Sequence, residues 1–546
     1  MSTEEPLLYA AEAEEPESAV QDLAERIDEA FGEATEFFYN LIFGTEVQIP
    51  LGSPFPEGTM IWDGSLVVLW AIVAAVGFTI YLGFVQFRTP KVSVEAVRGK
   101  WTRDEDPGEV THFQALTSAV SGTVGLGNIA GVAAAVAMGG PGATFWMIVA
   151  GFFGMATKFV ECTLGVKYRH IDEDGVVHGG PFQYLKVAFR RLGRVPVAII
   201  TGLFAVSIML FGIVGGGMFQ ANQAFSQARH VTGGAEGPLG TDVAALIFGV
   251  IFAALVALVI IGGIKSIGRV TSQLVPAMAL VYVVGCLLVI FANIGNVPDA
   301  FGAIITGAFS PEGVAGGVLG VIIIGVQRAA FSNEAGIGSA PIAHSAVKTR
   351  RPVSEGFNAV LEPFIDTVVI CTMTALVIVI AWPASYDQAL EAGEGDVALT
   401  SDAFETFLPW FPTVLSVAVI LFAFSTLITW SYYGIQAWRH LLGKSQAKDT
   451  VFRMIVCFMI VVGCMMTFAN IIDFADSALF MCIFINVIGC VILAPKVKEE
   501  MQQYLADRRA GRLMEDPERL PSEVREDEVG EFLARREQEK SGSVES

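Results

Sequence analysis

Eight residues in the middle of a long apolar stretch combine glycines with small polar side chains. Residues 121–128 read Ser-Gly-Thr-Val-Gly-Leu-Gly-Asn and interrupt the apolar segment 112–142. Three glycines in eight positions disfavour a regular helix. Lipid penalises every unpaired backbone group, so irregular backbone at membrane depth is expected only where it lines a cavity. The sequence therefore predicts a membrane helix that is broken near its middle and faces a polar cavity.

The chemistry available at such a break comes mainly from the backbone. A half-helix that begins there presents unpaired N–H groups and a positive dipole end, and Gly125 and Gly127 would let a carboxylate approach them. Unwound carbonyl groups, at Ser121 and Val124, are hard ligands for a small alkali cation. Asn128 adds an amide donor and acceptor. These groups suit a zwitterion together with a cation, whereas tight helix packing would explain only the glycines.

A second polar group lies in the apolar segment 411–437. The Ser425 and Thr426 hydroxyls are suited to complete a cation site with the carbonyls of the first break. Thr426 and Trp430 are four residues apart and therefore share one helix face, where the indole would close a pocket and limit side-chain size. Hydroxyls that bond back to their own helix, with Trp430 facing lipid, are the alternative interpretation.

The composition indicates a membrane protein. Only 16% of the 546 residues are charged, against about 25% in soluble domains. Eleven apolar segments are each long enough to cross the hydrocarbon core, which needs about 20 residues. They lie near 65–88, 112–138, 141–167, 195–225, 242–263, 268–293, 314–346, 357–382, 411–437, 451–470 and 474–495. We therefore expect an all-α polytopic membrane protein with eleven transmembrane helices.

Most of the net charge of −21 lies at the two ends of the chain. The charge distribution divides the chain into an acidic N-terminal segment with an amphipathic helix (1–64), a transmembrane domain (65–498) and a charged tail (499–546). Within the transmembrane domain, Lys and Arg concentrate in alternate loops, beginning with the loop after the first span. The positive-inside rule then predicts a multi-pass cell-membrane protein with its N-terminus outside and its C-terminus in the cytoplasm.

The order of the spans predicts an inverted repeat. After one leading helix, the remaining ten spans form two five-helix halves, near 112–293 and 314–495, which begin on opposite sides of the membrane. The first helix of each half should be the discontinuous one. Residues 331–341, Phe-Ser-Asn-Glu-Ala-Gly-Ile-Gly-Ser-Ala-Pro, interrupt the second half at the corresponding position.

A few charged residues lie inside the apolar spans, where such residues usually pair. Lys158 and Glu161 are three positions apart and are predicted to pair locally. Arg328 is expected to pair with Glu334 or Asp366. The seven Cys lie in apolar spans, the six His are scattered, and neither HExxH nor GxSxG occurs. The sequence therefore does not predict an enzyme or an enzymatic cofactor.

The long motifs resemble those of a known family. SGTVGLGNIAGVA followed by GGPGATFWM, then FSNEAGIGSAPIAHSA, and FVQFR at the end of the first span are similar to the alanine or glycine:cation symporter family. The resemblance covers about residues 65–495. VGLGN is also similar to the first core helix of the wider leucine-transporter fold. The resemblance implies sodium-coupled symport of small neutral amino acids by alternating access in a lipid membrane, with no nucleic-acid partner.

The resemblance also implies which residues bind each species. The implied substrate contacts are Gly125, Gly127, Asn128, Gln220, Phe331, Thr426 and Trp430. The implied sodium ligands are carbonyls of Ser121, Val124 and Phe422, with the hydroxyls of Ser425 and Thr426. Three alternatives stay open: a carrier for another small solute, a proton-coupled carrier that uses Asp366 or Glu334, and a transporter-derived sensor. The sequence makes no prediction of oligomeric state.

Overall fold

The protein is helical throughout most of its length and is built around one large apolar core. Its structure is a computed structural model, which describes residues 16–50, 60–172, 175–260, 263–309, 316–381 and 395–516. The predicted all-α membrane architecture is confirmed, apart from two short antiparallel strand pairs among the described residues.

An amphipathic helix, Pro16–Phe43, lies within the acidic N-terminal segment 1–64, where the sequence predicts one. Its aromatic face packs on the last long helix, with the rings of Phe31 and Phe474 5.0 Å apart. Asp28 accepts hydrogen bonds from the backbone and hydroxyl of Thr467 at 3.1 and 3.0 Å. The next elements are the paired strands Glu46–Pro50 and Met60–Ser65 and the apolar helix Leu66–Tyr81.

The helices of the first predicted repeat follow in order. After Val85–Arg88 and Pro90–Val97 they are His112–Thr123, Ala130–Gly139, Gly142–Lys167, Pro181–Ala188, Arg194–Ile213, Phe219–Val231, Asp242–Ile260 and Gly263–Ala292. Short connecting elements are the 3₁₀ turns Leu126–Asn128, Arg190–Leu192 and Gly234–Glu236, the π-helical turn Val214–Met218, and the paired strands His170–Ile171 and Val177–His178.

The second part of the chain has a similar series of helices. They are Val297–Phe309, Gly317–Asn333, Ala340–His344, Pro352–Ala359, Leu361–Pro363, the π-helical Phe364–Cys371, Thr372–Ala381, Val397–Glu405, Phe411–Leu442, Gln446–Gly463 and Phe468–Ala510. The last of these extends into the predicted cytoplasmic tail, whose residues 517–546 lie outside the described part of the chain.

The predicted number of eleven spans is not confirmed by the described helices. By length and apolar composition, seven helices of the described residues can cross a membrane, or eight if a bent pair is one span. Leu66–Tyr81 and Gly317–Asn333 lie at predicted spans but are shorter than 18 residues. The count of eleven therefore stays a prediction.

The first predicted break is present. Helix His112–Thr123 ends at Val124 (ψ 90°), and Gly125 is extended, with φ −146° and ψ −145°. A single 3₁₀ turn precedes the next helix, and the two half-helices are bent by 57°. The glycine-rich motif therefore interrupts the helix where the sequence predicts it.

The second predicted break begins at Glu334. This residue has a left-handed φ of 56°, and Gly336 and Gly338 follow with φ of 96° and 86°. Glycine adopts this region at little cost, which explains two glycines in the motif. Residues other than glycine adopt this left-handed region less often, so the backbone conformation of Glu334 is unusual.

Candidate substrate and cation site

The two breaks lie side by side and face the long helix Phe411–Leu442. At the first break, the amide of Asn128 donates a hydrogen bond to the hydroxyl of Ser332 at 3.2 Å. The Ser121 hydroxyl donates to the backbone carbonyl of Ser425 at 2.9 Å. These partners are 204 and 304 positions apart in the chain. The fold therefore assembles the three segments that the sequence singled out.

Four of the five residues predicted to bind a cation, Ser121, Phe422, Ser425 and Thr426, form a cluster of neutral oxygen atoms. Thr426 Oγ1 donates to the Ser121 carbonyl at 3.0 Å, and Ser425 Oγ donates to the Phe422 carbonyl at 2.9 Å. Val124 lies at the end of the first half-helix, where carbonyl groups have no partner further along that helix. Carbonyl and hydroxyl oxygens of this kind suit an alkali cation. The hydroxyl hydrogens can rotate away when a cation takes the oxygens.

Two glycines at the first break meet their neighbours closely. A Cβ atom at Gly125 would lie 2.5 Å from Thr426 Oγ1, and one at Gly127 would lie 3.4 Å from Ser332 Cα. The backbone N–H of Gly125 donates to the side-chain carbonyl of Asn128 at 3.0 Å. Gly125 is thus required by a close approach of two helices, and its N–H group faces the interior of the site.

Gln220 braces the first break from a third direction. Its Oε1 accepts a hydrogen bond from the Leu126 backbone, and its Nε2 donates to the Gly215 carbonyl, both at 3.3 Å. A π-helical turn, Val214–Met218, precedes Gln220, whose side chain is buried. Asn222 and Gln223 bond other elements. Of these three polar residues, Gln220 is therefore the one whose described contacts include the break.

Aromatic rings form the remaining wall of the site. Trp430 is 2% exposed, and its ring centroid lies 4.7 Å from that of Phe211, which in turn lies 5.8 Å from that of Phe331. The indole N–H donates to Glu334 Oε1 at 3.0 Å. A Cβ at Gly216 would lie 2.2 Å from Trp430 Cγ. Trp430 therefore faces the protein interior, against the interpretation that places it in lipid.

Asp366 lies next to the site but is not among the predicted binding residues. Its two carboxylate oxygens accept hydrogen bonds from Asn128 Nδ2 and from the Ser332 and Thr367 hydroxyls, each at 2.7 Å. In the sequence, Asp366 is a lone acidic residue in an apolar span, and such a residue needs buried partners. The sequence analysis therefore named it as a candidate for proton coupling, but the sequence does not show that it contacts Asn128.

The predicted local pair of Lys158 with Glu161 is wrong. The Lys158 ammonium lies 3.1 Å from a carboxylate oxygen of Glu362 on a neighbouring helix. Glu161 instead accepts hydrogen bonds from the Asn486 amide at 2.5 Å and from the Gly336 backbone at 3.2 Å. Spacing along one helix allows a pair, but partners from other elements decide which pair forms.

The predicted partners of Arg328 are also wrong. Its guanidinium pairs with Asp476 on the last long helix and not with Glu334 or Asp366. Those two carboxylates have the partners described above. Asp476 was missed because it lies 148 positions further along the chain and at the edge of an apolar segment.

A helical membrane protein with two broken helices around a buried oxygen cluster belongs to the class of secondary transporters with a leucine-transporter-like fold. Among solved structures, it is similar to that entitled "Crystal structure of MhsT in complex with L-phenylalanine", with a TM-score of 0.51 and 14% identity. The similarity covers 78% of this chain and 98% of that one.

The family follows from the sequence. The model of the sodium:alanine symporter family matches residues 56–518, and the chain belongs to that family. It is 34% identical over 447 residues to the sodium/alanine symporter AgcS of Methanococcus maripaludis, covering 82% of this chain and 95% of that protein. It is also 34% identical over 457 residues to the probable sodium/glutamine symporter GlnT of Bacillus subtilis, covering 83% and 90%. The protein is thus a multi-pass membrane transporter and not an enzyme, and family membership implies sodium as the coupling ion.

Proposed function

We propose that this protein couples the inward movement of sodium to the uptake of small neutral amino acids, alanine and glycine, by alternating access. The observation that carries the proposal is the first break. There, the backbone N–H groups of Gly125 and Leu126 donate to the side chains of Asn128 and Gln220, bonds that a ligand can replace. These groups lie beside a cluster of neutral oxygens and inside a wall of aromatic rings. An amino-acid zwitterion and an alkali cation together match this arrangement.

In the proposed complex, the substrate carboxylate takes the N–H groups at Gly125 and Gly127, at the positive end of a half-helix. Asn128 would exchange its bond to the Gly125 N–H for one to the substrate. The aromatic wall and the close contact of Gly216 with Trp430 favour a small substrate side chain. The proposed substrate contacts are Gly125, Gly127, Asn128, Gln220, Phe331, Thr426 and Trp430.

The sodium ion would take the oxygen cluster. Its proposed ligands are the carbonyls of Ser121, Val124 and Phe422 and the hydroxyls of Ser425 and Thr426. The cluster links the first broken helix to the long helix Phe411–Leu442. A bound ion would therefore hold together two elements that alternating access must move apart, which is the physical basis for coupling.

The orientation and boundaries inferred from the sequence complete the proposal. The alternate Lys- and Arg-rich loops support an external N-terminus and a cytoplasmic C-terminus. The transmembrane domain would extend over residues 65–498 with eleven spans, an external segment 1–64 before it and a tail 499–546 after it. The external face would then carry helix Pro16–Phe43.

A second candidate is symport of a different small solute. The relative named a probable sodium/glutamine symporter is as similar to this chain as the one named a sodium/alanine symporter, at 34% identity. The buried amides of Asn128 and Gln220 could pair with a substrate amide. Another relative, in Bacillus subtilis, is named a putative sodium/proton-dependent alanine carrier, at 30% identity.

The test is uptake of radiolabelled alanine by proteoliposomes under an inward sodium gradient, compared with an equal potassium gradient. Accumulation with sodium alone, competed by unlabelled glycine, is the expected result. Competition by glutamine but not by glycine would favour the second candidate. Equal uptake in both gradients, driven by a proton gradient, would contradict sodium coupling.

A further inference from the structure

A continuous row of buried ionisable side chains lies beneath the second break. We call it the buried row, and it consists of His112, Glu355, His344, Glu362 and Lys158. His112 Nδ1 contacts one Glu355 oxygen, and His344 Nδ1 lies 2.5 Å from the other. His344 Nε2 contacts one Glu362 oxygen, and Lys158 Nζ lies 3.1 Å from the other. Every member is at most 3% exposed.

The hydrogen bonds of this row require one proton more than neutral histidines supply. Both ring nitrogens of His344 face carboxylate oxygens, but a neutral imidazole has one N–H group and one lone pair. A lone pair against an ionised carboxylate is repulsive. An additional proton must therefore lie on His344 or on a neighbouring carboxyl group. Glu355 Oε1 already accepts a hydrogen bond from the Asn358 amide at 2.8 Å, so it is less suited to carry the additional proton. The proton is therefore favoured on the pair formed by His344 and Glu362.

The same proton balances the charge of the row. With it, the cations Lys158 and His344 match the carboxylates of Glu355 and Glu362. Without it, one negative charge stays uncompensated in a fully buried place, which is costly. Further ionisable groups act on members of the row from neighbouring elements: Glu161, Cys162, Arg169, Glu334, Asp366 and Tyr433.

The row connects the helix that leads into the first break with the helix that follows the second break. His112 begins the half-helix that carries Ser121 and Val124, and His344 ends the second broken helix. The far side of His112 reaches solvent through Thr102, a half-buried loop residue whose hydroxyl lies 2.9 Å from Nε2. This is the side that the Lys and Arg distribution assigns to the cytoplasm. An opening of the fold on this side would have to move His112 away from His344, because they lie on different helices.

We propose that the buried row is a proton-binding site. One exchangeable proton, shared by His344 and Glu362 and reached past Thr102 and His112, holds the cytoplasmic halves of the two broken helices together. Release of the proton weakens the row, so opening on this side becomes more favourable as pH rises. The inference uses the proposed orientation but neither the substrate nor the sodium site.

The test is hydrogen–deuterium exchange of the full-length protein in lipid nanodiscs, without sodium or substrate, from about pH 6 to about pH 9, a range that begins near the usual histidine pKa of about 6.5 and extends above it. After correction for the intrinsic pH dependence of exchange, the opening constant of residues 113–123 should rise about tenfold per pH unit within part of that range, because one proton leaves with each opening. In Glu362→Gln, the amide donates to His344 and accepts from Lys158. That row needs no additional proton, and the slope should vanish.

Glu161→Gln is the matched control, because it removes a buried carboxylate near Lys158 that lies outside the row; the slope should persist. Glu355→Gln is the second variant, and the opening constant should also lose its pH dependence in it. This variant replaces Glu362→Gln in the test if Glu362→Gln does not fold. A wild-type protein without a slope overturns the proposal, as does a slope that survives in Glu362→Gln or disappears in Glu161→Gln. Since neither alanine nor sodium is present, failure of alanine uptake would leave this result unaffected.

Discussion

The oxygen cluster around Ser121 and the buried row beginning at His112 lie at opposite ends of one half-helix, His112–Thr123, and use opposite chemistry. The cluster contains hydroxyl and carbonyl groups that bond one another and carry no net charge. The row contains full charges whose balance depends on a proton. One end can exchange its hydrogen bonds for a cation, whereas the other depends on a balance of buried full charges.

This difference matches what each end has to do. A site for cargo must bind and release, so weak neutral ligands that satisfy each other between binding events are suitable. A contact that holds one conformation must be strong when formed and must depend on a specific event to open. Buried charges provide such a contact, because their net contribution depends on complete pairing.

The largest expected effect comes from removing the cation of the row. Lys158→Met leaves the Glu362 carboxylate buried beside His344 with one partner fewer and should cost about 3–5 kcal/mol of folding free energy. The melting temperature of the purified protein in detergent measures it. The double variant Lys158→Met/Glu362→Gln should recover much of the loss, because no unpaired charge remains. A single variant as stable as wild type would show that the pair is not buried as described.

A smaller effect is expected in the neutral cluster. Thr426→Ala removes one hydroxyl ligand of the proposed cation site, and a hydrogen-bond partner of a charged group contributes about 1.5–3 kcal/mol. The sodium concentration that half-saturates alanine uptake should therefore rise at least about tenfold, with little change in melting temperature. Thr426→Ser retains the hydroxyl and should behave like wild type. Unchanged sodium dependence in Thr426→Ala would remove this residue from the site.

The aromatic wall should affect selectivity more than coupling. Trp430→Ala removes the indole that packs on Phe211, so larger neutral amino acids should compete about tenfold better with alanine uptake, the scale of discrimination by apolar pocket volume. Trp430→Phe keeps a ring and is the control for loss of the bond to Glu334. An identical competition panel in Trp430→Ala would place the substrate elsewhere.

The smallest effect is expected where charges meet solvent. Arg508 pairs with Glu95 at 2.9 Å and Lys100 pairs with it at 3.1 Å. Burial raises the pKa of Glu95, but the hydrogen bonds from Arg508 and Lys100 outweigh it and leave this pKa below its usual value. The contact therefore contributes at neutral pH and is lost as pH falls through the lowered pKa of Glu95.

Arg508→Gln should cost at most about 1 kcal/mol, and high salt should reproduce its effect. Exchange of amide hydrogens in residues 499–516 measures this contact. The buried row should show no comparable response to salt. A salt effect of equal size at both places would contradict the contrast between buried and exposed charges.

Local signals in the sequence were sufficient for both breaks. Glycine disfavours a regular helix wherever it occurs, so Gly125 and Gly127, with Gly336 and Gly338, indicated where the two helices break. The small polar residues beside them indicated a site. The close approach of Thr426 to Gly125, by contrast, comes from a distant segment. The number of spans was harder to predict, because apolar segments do not specify where a helix ends.

Contacts between distant segments were not predictable in the same way. His112 and Glu355 are 243 positions apart, and Arg328 and Asp476 are 148 positions apart. The sequence shows that buried charges need partners but not which partners the fold supplies. It therefore identified Lys158 and Arg328 as unusual and chose the wrong carboxylates for both.

The final helix has a mechanical consequence. Phe468–Ala510 contains 43 residues, so at 1.5 Å per residue it is about 65 Å long, roughly twice the thickness of a hydrocarbon core. One end holds the N-terminal helix at Phe474 and the other reaches Glu95 through Arg508. A rigid lever of that length converts a tilt of about 5° into a displacement of about 6 Å at its far end. Pro495 lacks an amide hydrogen, so the helix is most easily bent at this residue. A bend there would reduce the displacement of the far end.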